Sequence, residues 1–505
     1  MNNNLCIQIT PNDNVVIAVK NVDKGTEILP DVITLDAIPQ AHKIAITDIL
    51  KGEPIIKYGV ILGYAKNDIK KGAWIDEKMV ILPKAPLPEN IKINTTYEGR
   101  KIPIDSSITW EGYKNSDGYA GTRNILGITT TVQCVTGVLN RAVEKIKTEI
   151  LPKYKNVDGV VAINHAYGCG VAINAENADI PIRIIKNLSK HPNFGGQLMV
   201  VGLGCEKLTV DMLCDKTDIT PENIIILQEK KGYVDMINSI VSMAEKKLQI
   251  LNMRKRETLP LSDLIIGMQC GGSDAFSGVT ANPAAGYAAD KLVANGATVL
   301  FSEVTEVRDG IQILGERCSD QETLNKLCNE MKWYDNYLDV GKVDRDANPT
   351  PGNKKGGLAN IVEKAMGSIA KSGTAKIVQV LSPGEKPTKK GLIYAATPAS
   401  DMVCGTCQLA SGIGLQLFMT GRGTPYGLAM APVIKICSRT EMKNQWDDLI
   451  DINAGPIATG ETSIEDMGEI IFNKILDVAS GREQSLAEKY KLYNDFCVFN
   501  PAPIT

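Results

Sequence analysis

The segment 269–283, with the sequence QCGGSDAFSGVTANP, combines side chains that could bind a metal ion or a polyhydroxylated substrate. It follows the apolar run 264–268, which is typical of a buried strand. Ligands of α/β proteins usually bind beyond the carboxyl ends of such strands, and glycines allow the backbone to approach an anionic group closely. The candidate ligands are Cys270 for a metal and Ser273, Asp274 and Asn282 for a substrate. The alternative is a tight turn with a helix cap and no ligand.

Three further cysteines, Cys134, Cys169 and Cys205, also follow apolar runs and lie beside glycines or threonines. Parallel strands would bring such positions to one edge of a sheet, so we predict that these three and Cys270 bind a metal. A set of cysteines alone would suit zinc or an iron–sulfur cluster, whereas mixed sulfur, nitrogen and oxygen ligands would suit Fe²⁺. Glu206 and Asp274 are carboxylates that could bind the metal through oxygen instead. The competing interpretation is four buried, inert cysteines.

Near-neutral acid/base chemistry has few candidates, because the chain has only 3 histidines. His42 and His165 are the predicted general acid and base, and Lys43 could take either part. His191, before Pro192, is interpreted as a solvated helix end. Glu303 and Glu306 follow a predicted strand and are the next candidates. The Cys404-x-x-Cys407 spacing occurs without a matching domain, and we predict no redox role for it.

Cationic and amide groups occur in two further glycine-containing turns. One turn carries Arg123 and Asn124, and the other carries Arg422 and Thr424. A guanidinium is well suited to a carboxylate, so these four residues are predicted to bind a substrate.

The composition limits the function classes. A net charge of −3 gives no reason to expect a nucleic acid or an anionic membrane as a partner. No apolar run approaches the roughly 20 residues that span a bilayer, and the N-terminus has no secretion signal, so we expect a cytoplasmic protein. The sequence lacks the glycine-rich nucleotide loops, the zinc-protease motif and the serine-hydrolase elbow.

The elements that position these residues form three parts. Residues 1–82 contain short β-type runs separated by turns, and residues 83–107 form a proline-containing linker. Residues 108–258 and 259–505 alternate strands with helices, which predicts two α/β domains with mainly parallel sheets. The charged segment 253–260 is the predicted boundary between them.

The order and spacing of these motifs resemble the altronate/galactarate dehydratase family over essentially the whole chain. The resemblance is carried by segments 115–124, 165–170, 202–206, 270–283 and 421–425, and segments 348–360, 451–455 and 498–503 are similar to the galactarate branch. Residues 1–82 resemble the SAF module, a β-clip fold, with His42 in its His-Lys turn. Ala41 stands where a glycine is usual, which we interpret as a stiffer turn.

The resemblance implies a hydro-lyase that uses Fe²⁺, or another divalent metal, to dehydrate a sugar diacid. Galactarate would give 5-dehydro-4-deoxy-D-glucarate by loss of an α-proton and a β-hydroxyl. A metal would stabilise the charge that develops on the carboxylate. We expect a homodimer in which the SAF module covers the active site of its own chain or of its partner. The alternatives are an altronate dehydratase, a sulfolactate sulfo-lyase and, more distantly, a non-catalytic sugar-acid binding protein.

Overall fold

The computed structural model describes residues 5–504, and its first part is a small β-rich module. Its strands are β1 (Cys6–Ile7), β2 (Val15–Ala18), β3 (Glu27–Leu29), β4 (Val32–Ile33), β5 (Lys43–Ala45), β6 (Pro54–Lys57), β7 (Val60–Ala65), β8 (Trp74–Ile75) and β9 (Val80–Ile81). They form antiparallel sheets of order β1-β2-β5-β8, β6-β7-β9 and β3-β4. Many of their residues are β-branched, and β2 and β5 are buried at every residue.

Segment 83–107 crosses the surface of the third part of the chain rather than hanging free. It has little regular structure apart from one turn of 3₁₀ helix at Pro88–Asn90. The backbone N–H of Asn94 donates to the carbonyl of Glu316 over 3.2 Å, and the hydroxyl of Tyr97 donates to the carbonyl of Thr374 over 2.8 Å. These contacts fix the path of the linker along its length.

The second part is an α/β unit around a small parallel sheet. Its elements are β10 (Thr109–Lys114), β11 (Ala120–Gly121), β12 (Ile125–Thr130), α1 (Thr136–Lys145), β13 (Gly159–Ile163), α2 (Asp179–Ser189), β14 (Val200–Gly202), α3 (Val210–Leu213), β15 (Ile224–Ile226), α4 (Tyr233–Asn252) and β16 (Glu257–Pro260). The sheet has the order β13-β12-β14-β15, with every pair parallel. The chain continues from β12 to β13 on one side and from β14 to β15 on the other, so β12 and β14 flank a topological switch point, where ligands of such sheets usually bind.

The charged segment between the two α/β parts is not a free connection. Its second half forms β16, which pairs antiparallel with β10. The Arg256 guanidinium donates to the carbonyls of Glu111 over 2.7 Å and Ala479 over 3.1 Å. The two α/β parts are therefore joined by a small antiparallel sheet.

The third part is built on a larger sheet that is parallel throughout. Its elements are β17 (Ile265–Cys270), α5 (Ala281–Ala294), β18 (Thr298–Phe301), α6 (Ile311–Glu316), α7 (Gln321–Val340), α8 (Pro351–Lys355), α9 (Ile361–Ala370), β19 (Ile377–Leu381), β20 (Leu392–Ala395), α10 (Asp401–Ala410), β21 (Leu415–Thr420), β22 (Val433–Cys437), α11 (Thr440–Gln445), β23 (Ile452–Asn453), α12 (Pro456–Thr459), α13 (Ile464–Ala479) and α14 (Leu486–Lys489). Within residues 5–504 the order is β19-β20-β18-β17-β21-β22-β23. The central strands are almost wholly buried because helices cover both faces.

The first module is docked on the carboxyl edge of this larger sheet, where the parallel strands end. Ile17 and Val19 of the module pack with Phe276 and Leu358 of the third part. Nearby, the buried Glu363 carboxylate accepts from Lys43 Nζ at 2.9 Å and from Lys57 Nζ at 2.6 Å. An apolar contact and a buried ion triad thus hold the module in place, and it covers the edge in its own chain.

The fold class predicted from the sequence, a β-rich module followed by α/β domains with mainly parallel sheets, is confirmed. No helix of residues 5–504 is both long enough and apolar enough to cross a membrane.

Candidate active site

Three potential metal ligands meet beneath the docked module. Cys270 ends β17, while Glu303 and Glu306 follow the neighbouring strand β18. One ligand atom from each lies within 4.8 Å of the others, and all three side chains are buried. We call these three residues the buried centre. Glu303 Oε1 has no hydrogen-bond partner, so a buried acceptor is left available for a cation.

Two ammonium groups border the buried centre. Lys371 Nζ lies 2.6 Å from Glu303 Oε2 and 3.3 Å from Cys270 Sγ. Lys364 Nζ lies 2.7 Å from Glu306 Oε1. Both lysines come from α9 or its carboxyl end, so one helix supplies the cations that balance carboxylates from the loop after β18.

The electrostatics of the buried centre follow from its burial. Desolvation, and then the neighbouring Glu306, raise the pKa of Glu303 to about 8. Desolvation raises the pKa of the Cys270 thiol to about 12. Burial opposes the charge on Lys371, but the surrounding acidic groups outweigh it and raise the pKa of its ammonium. The Lys371 ammonium in turn favours the ionised forms of Glu303 and Cys270, but desolvation outweighs this effect at both groups. A divalent cation would favour the ionised forms of the acidic ligands.

Asp401, the first residue of α10, is a further carboxylate at this edge. Desolvation, and then Glu306, raise the pKa of Asp401 to about 6. Its carboxylate accepts from Gln269 Nε2 at 3.3 Å, and a Cβ at Gly271 would lie 2.6 Å from its Oδ2. Asp401 therefore lies against the backbone beside Cys270 and titrates near neutral pH, as a general base requires.

A small cavity adjoins the buried centre through Lys364 and Ser368. Its volume is about 10 Å³, which is about the space for one water molecule. Ser273 Oγ and Asn282 Oδ1 are buried atoms on its wall without hydrogen-bond partners. The cavity is lined by Tyr58, Ser273, Asp274, Ser277, Gly278, Asn282, Leu358, Glu363, Lys364, Gly367 and Ser368. The predicted substrate residues Ser273, Asp274 and Asn282 are thus brought together, in a space too small for a sugar diacid.

Asp274 is held by polar contacts within this wall. Its Oδ1 accepts from the hydroxyls of Ser277 at 3.0 Å and Ser438 at 2.9 Å. Its Oδ2 lies 2.8 Å from Arg439 Nε, an ion pair whose angles do not make a hydrogen bond. This carboxylate therefore organises the wall, and Arg439 brings a second cation close to the cavity.

Three residues near the same edge have a strained backbone conformation. Glu303, Tyr58 and Ala41 have φ values of 80°, 60° and 71°, a region that side chains other than glycine rarely adopt. Such residues persist where the surrounding structure holds them, and they cluster at functional sites. The positive φ of Ala41 also explains why a glycine suits this turn, so the alanine strains the turn rather than merely stiffening it.

His42 and Lys43 lie in the interface between the module and the larger sheet. His42 Nδ1 accepts from Trp74 Nε1 at 3.1 Å, and its Nε2 lies 3.3 Å from the carbonyl oxygen of Lys355. Desolvation, and then Lys43, lower the pKa of His42. Lys43 Nζ also donates to the carbonyl of Gly357 over 2.6 Å. In this closed arrangement both residues hold the module, and a role in proton transfer stays a prediction.

The other predicted metal ligands lie elsewhere. Cys134, Cys169 and Cys205 follow β12, β13 and β14 at the carboxyl edge of the smaller sheet, and all three are exposed. The structure does not bring them together with Cys270. His165 lies at the same smaller edge, where its Nε2 is 2.8 Å from the carbonyl oxygen of Thr130, so His42 and His165 occupy different sheets. Glu206 is there too, with its carboxylate bound to the backbone N–H groups of Leu203 and Gly204.

His191 is not the solvated helix end that the sequence suggested. It is 1% exposed, and its Nε2 lies 3.0 Å from the carbonyl oxygen of Ile413. Desolvation lowers its pKa to about 3, so it is a neutral core residue. The prediction was wrong because a neighbouring domain covers this turn. Cys404 and Cys407 are free thiols buried in α10.

The two turns that were predicted to bind a substrate differ in whether their arginine side chain is free to do so. Arg123 is buried and forms a two-pronged ion pair with Glu488, at 2.5 Å and 2.7 Å, and its Nη1 donates to two backbone carbonyls. Asn124 is buried and donates to the carbonyls of Asn156 and Leu251. These contacts give both residues a structural role and take them out of the candidate site. Arg422 is exposed, and its backbone N–H and that of Gly421 donate to Gly272.

Thr424, on the same turn as Arg422, is half-buried. Its hydroxyl accepts from the backbone N–H of Tyr426 at 3.3 Å. The turn after β21 is therefore attached to the Gly272 turn, and Arg422 and Thr424 remain near the candidate site.

Sequence reasoning missed several groups of this site: Tyr58, Glu363, Lys364, Ser368, Lys371, Asp401 and Arg439. Lys364 had a usable signal, since it lies four residues after segment 348–360, which resembles the galactarate branch. No sequence signal indicated that Tyr58 lines the cavity, because its position depends on how the module docks.

Three family models match successive parts of the chain. The family model described as D-galactarate/altronate dehydratase, C-terminal, matches residues 261–504. The model of the second domain of D-galactarate dehydratase/altronate hydrolase matches residues 112–252, and the altronate/galactarate dehydratase SAF domain matches residues 4–83.

Curated relatives match along nearly the whole chain. Galactarate dehydratase (L-threo-forming) of Escherichia coli is 56% identical, over 99% of this chain and 97% of its own length. The altronate dehydratases of Bacillus subtilis and E. coli are each 32% identical, over 94% of this chain and 95% of theirs. The β subunit of a (2R)-sulfolactate sulfo-lyase from Chromohalobacter salexigens is 29% identical, over 74% of this chain and 93% of its own.

Proposed function

Because the chain belongs to the D-galactarate/altronate dehydratase family, we propose that it is a hydro-lyase whose substrate is galactarate. The observation that carries the choice of substrate is the 56% identity with a galactarate dehydratase, against 32% with altronate dehydratases. The product proposed is 5-dehydro-4-deoxy-D-glucarate, in keeping with the L-threo-forming relative. The homodimer and the cytoplasmic location expected from the sequence remain part of this proposal.

The buried centre is the proposed place for Fe²⁺. Its sulfur and carboxylate ligands fit a borderline metal, and the unpartnered Oε1 of Glu303 fits a missing cation. When bound, such a metal would stabilise the negative charge that forms on a substrate carboxylate as its α-proton leaves. Lys371 and Lys364 would then keep the two ligand carboxylates ionised and oriented.

The chain's own residues would perform the proton transfers and hold the substrate. Asp401 is the proposed base at the α-carbon, because it lies beside Cys270 and its pKa is near neutral. Ser273 and Asn282 have free buried oxygens for substrate hydroxyls. Arg422 is the proposed anchor of the distal carboxylate. His42, Lys43 and His165 remain acid/base predictions from the sequence that the closed arrangement leaves untested.

Access to this site requires movement of the SAF module, which comprises residues 1–82. The cavity has space for about one water molecule, whereas galactarate has six carbons and two carboxylates. We therefore propose that the module opens to admit the substrate and closes to exclude water during proton transfer.

The test of the substrate is a panel of galactarate, altronate and sulfolactate with anaerobic, Fe²⁺-reconstituted enzyme. Release of keto acid from galactarate at the highest kcat/KM is expected. A preference for altronate, or sulfite release from sulfolactate, would assign one of the alternative activities. Failure to turn over any of the three would favour a binding protein.

The test of the base is the pH profile of Asp401→Asn. The wild-type kcat/KM should fall on the acid side near pH 6, since Asp401 must be ionised to accept a proton. The variant should lose a factor of roughly 10²–10⁴ in kcat and should lack this acid limb. An unchanged profile would assign the base to another residue.

A further inference from the structure

The second α/β part carries a cysteine cluster that the proposed function does not use. Of the chain's 12 cysteines, the three that are exposed are Cys134, Cys169 and Cys205, and the others are buried or half-buried. Free cysteine is among the most buried residue types, so three exposed thiols on one sheet edge are unusual. We call this trio the thiol edge.

The topology brings the three thiol-bearing loops together. β12 is paired with β13 on one side and with β14 on the other, and one cysteine follows each of these strands. This is the switch point of the smaller sheet, the place where ligands of open parallel sheets bind.

Direct backbone contacts confirm that the loops converge. The carbonyl of Gly168, next to Cys169, accepts from the backbone N–H groups of Lys207 at 3.1 Å and Leu208 at 3.3 Å, just after Cys205. A Cβ at Gly168 would lie 2.1 Å from the Thr131 carbonyl oxygen, in the loop that leads to Cys134. Gly168 has a φ of 111°, and only glycine fits both this conformation and this contact.

The neighbouring polar groups leave sulfur as the principal ligand type. The Glu206 carboxylate is occupied by the Thr131 hydroxyl and by the backbone N–H groups of Leu203 and Gly204, so it shapes the loop. Gln228 Nε2 donates to Cys205 Sγ at 3.3 Å. Hydrogen bonds to the sulfur ligands are a usual feature of iron–sulfur sites.

A second observation points to a ligand at this edge. Thr136 Oγ1, at the start of α1 two residues after Cys134, and Tyr167 Oη, two residues before Cys169, are buried atoms that have no hydrogen-bond partner within residues 5–504. Tyr167 is only 4% exposed. Buried polar atoms in native proteins are almost always paired, so each of these two oxygens is available to a ligand.

We propose that Cys134, Cys169 and Cys205 bind an iron–sulfur cluster, separate from the metal of the buried centre. A single ion needs its ligand atoms close together, and within the described residues the trio is not among the groups whose ligand atoms lie within 4.8 Å of one another. A cluster spaces its cysteines further apart because each thiolate binds a different iron. Three thiolates on a [4Fe–4S] cluster leave one iron open to a carboxylate or hydroxyl oxygen. This assignment does not depend on the identity of the substrate.

The test measures iron and acid-labile sulfide in the full-length chain after anaerobic reconstitution with Fe³⁺, sulfide and a thiol that reduces part of the iron. Wild type should contain both, with broad visible absorption and a paramagnetic signal after reduction. Cys134→Ser, Cys169→Ser and Cys205→Ser should each lose the sulfide and the absorption. The matched controls, Cys497→Ser and Cys270→Ser, should retain them.

A reconstituted wild type without labile sulfide would overturn the proposal, and so would sulfide that survives in all three thiol-edge variants. Binding of Zn²⁺ by the trio without sulfide uptake by the iron-treated protein would do the same. The three side chains are exposed, so serine should not disturb folding. Alanine variants with unchanged thermal unfolding would separate loss of ligation from loss of structure.

Discussion

The two parallel sheets place a cysteine at the same topological position and then treat it in opposite ways. Cys270 is the last residue of central strand β17 of the larger sheet, and Cys134 lies in the turn after central strand β12 of the smaller one. The first is buried among two carboxylates and two ammonium groups, and the second is exposed beside two other thiols. The chemistry at a strand end is therefore decided by what covers it and which loops flank it.

Buried charge helps to fix the position of the SAF module over the larger sheet. The SAF module covers the carboxyl edge of the larger sheet, which we call the larger edge. Its Lys43 and Lys57 are 1% exposed and share the Glu363 carboxylate. Buried ions of this kind cost desolvation energy unless each is paired, so the triad favours one docked geometry. At the carboxyl edge of the smaller sheet, residues 5–504 provide no such cover over the three cysteines, so these thiols are exposed.

The largest effect is expected from Glu303→Gln, which alters the buried centre and leaves the thiol edge intact. The variant keeps the side-chain size but removes a ligand charge and the anion that pairs with Lys371. We expect kcat to fall by roughly 10²-fold or more, with loss of the iron that is not associated with labile sulfide. Turnover and metal content per chain are the measurements.

The matched control for this variant is Glu330→Gln, a half-buried carboxylate of α7 that accepts from the Ser382 hydroxyl. It should retain turnover. Equal losses in both variants would indicate general destabilisation, and full activity of Glu303→Gln would remove Glu303 from the metal site.

The second prediction compares thiol reactivity at the two edges directly. In metal-free native protein, a small alkylating reagent should modify Cys134, Cys169 and Cys205 rapidly, because these side chains are exposed. Cys270 should react far more slowly, because burial raises the pKa of its thiol to about 12 and closure blocks access. Peptide mapping over time measures each rate. Comparable rates at Cys270 and the trio would mean that the larger edge is open in solution.

Reconstitution with iron and sulfide provides the internal control for this labelling. It should protect the three exposed cysteines and leave the half-buried Cys497 as reactive as before.

Much of this contrast can be read from the sequence. Apolar runs alternating with helical patterns predicted both parallel sheets, and the glycine-rich turns marked Cys134, Cys169, Cys205 and Cys270 as strand-end residues. The larger edge was also marked by Ser273, Asp274 and Asn282. These are local signals, since a strand followed by a glycine turn is encoded within about fifteen residues.

The grouping of the cysteines could not be read in the same way. All four follow strands, but Cys270 belongs to a different sheet, and sheet membership depends on long-range pairing. Arg123 shows the same limit, because its partner Glu488 is remote in sequence and converts a promising substrate anchor into a structural ion pair. His191 was misassigned since the carbonyl of Ile413, from another domain, covers it.

The third prediction uncovers the larger edge by breaking the ion triad. Glu363→Gln leaves Lys43 and Lys57 buried without an anion, which typically costs about 3–5 kcal/mol. The SAF module should detach more often, so proteolysis within segment 83–107 and alkylation of Cys270 should both become faster. Both rates are measured on the native protein.

Glu441→Gln is the matched control at the exposed rim of the same interface, where Glu441 accepts from Gln40 at 3.1 Å. It should change stability by less than about 0.5 kcal/mol. If Glu363→Gln behaves like this control, the triad does not hold the module.

The smallest effect is a pH dependence that belongs to the covered edge alone. Burial by itself would raise the pKa of Glu363, but Lys43 and Lys57 outweigh it and lower the pKa from 4.5 to about 2. A carboxyl whose pKa is lowered by folding adds stability above its unfolded pKa and loses it as the pH falls through the folded pKa. The contribution of Glu363, up to about 3 kcal/mol, should therefore be complete above about pH 5 and decline toward pH 2.

Other carboxyl groups titrate over the same range, so the useful quantity is the difference in unfolding free energy between wild type and Glu363→Gln. That difference should shrink as the pH falls, because a protonated Glu363 is nearly equivalent to glutamine. Parallel curves would show that Glu363 titrates normally and that apolar packing alone, around Ile17 and Phe276, keeps the larger edge closed.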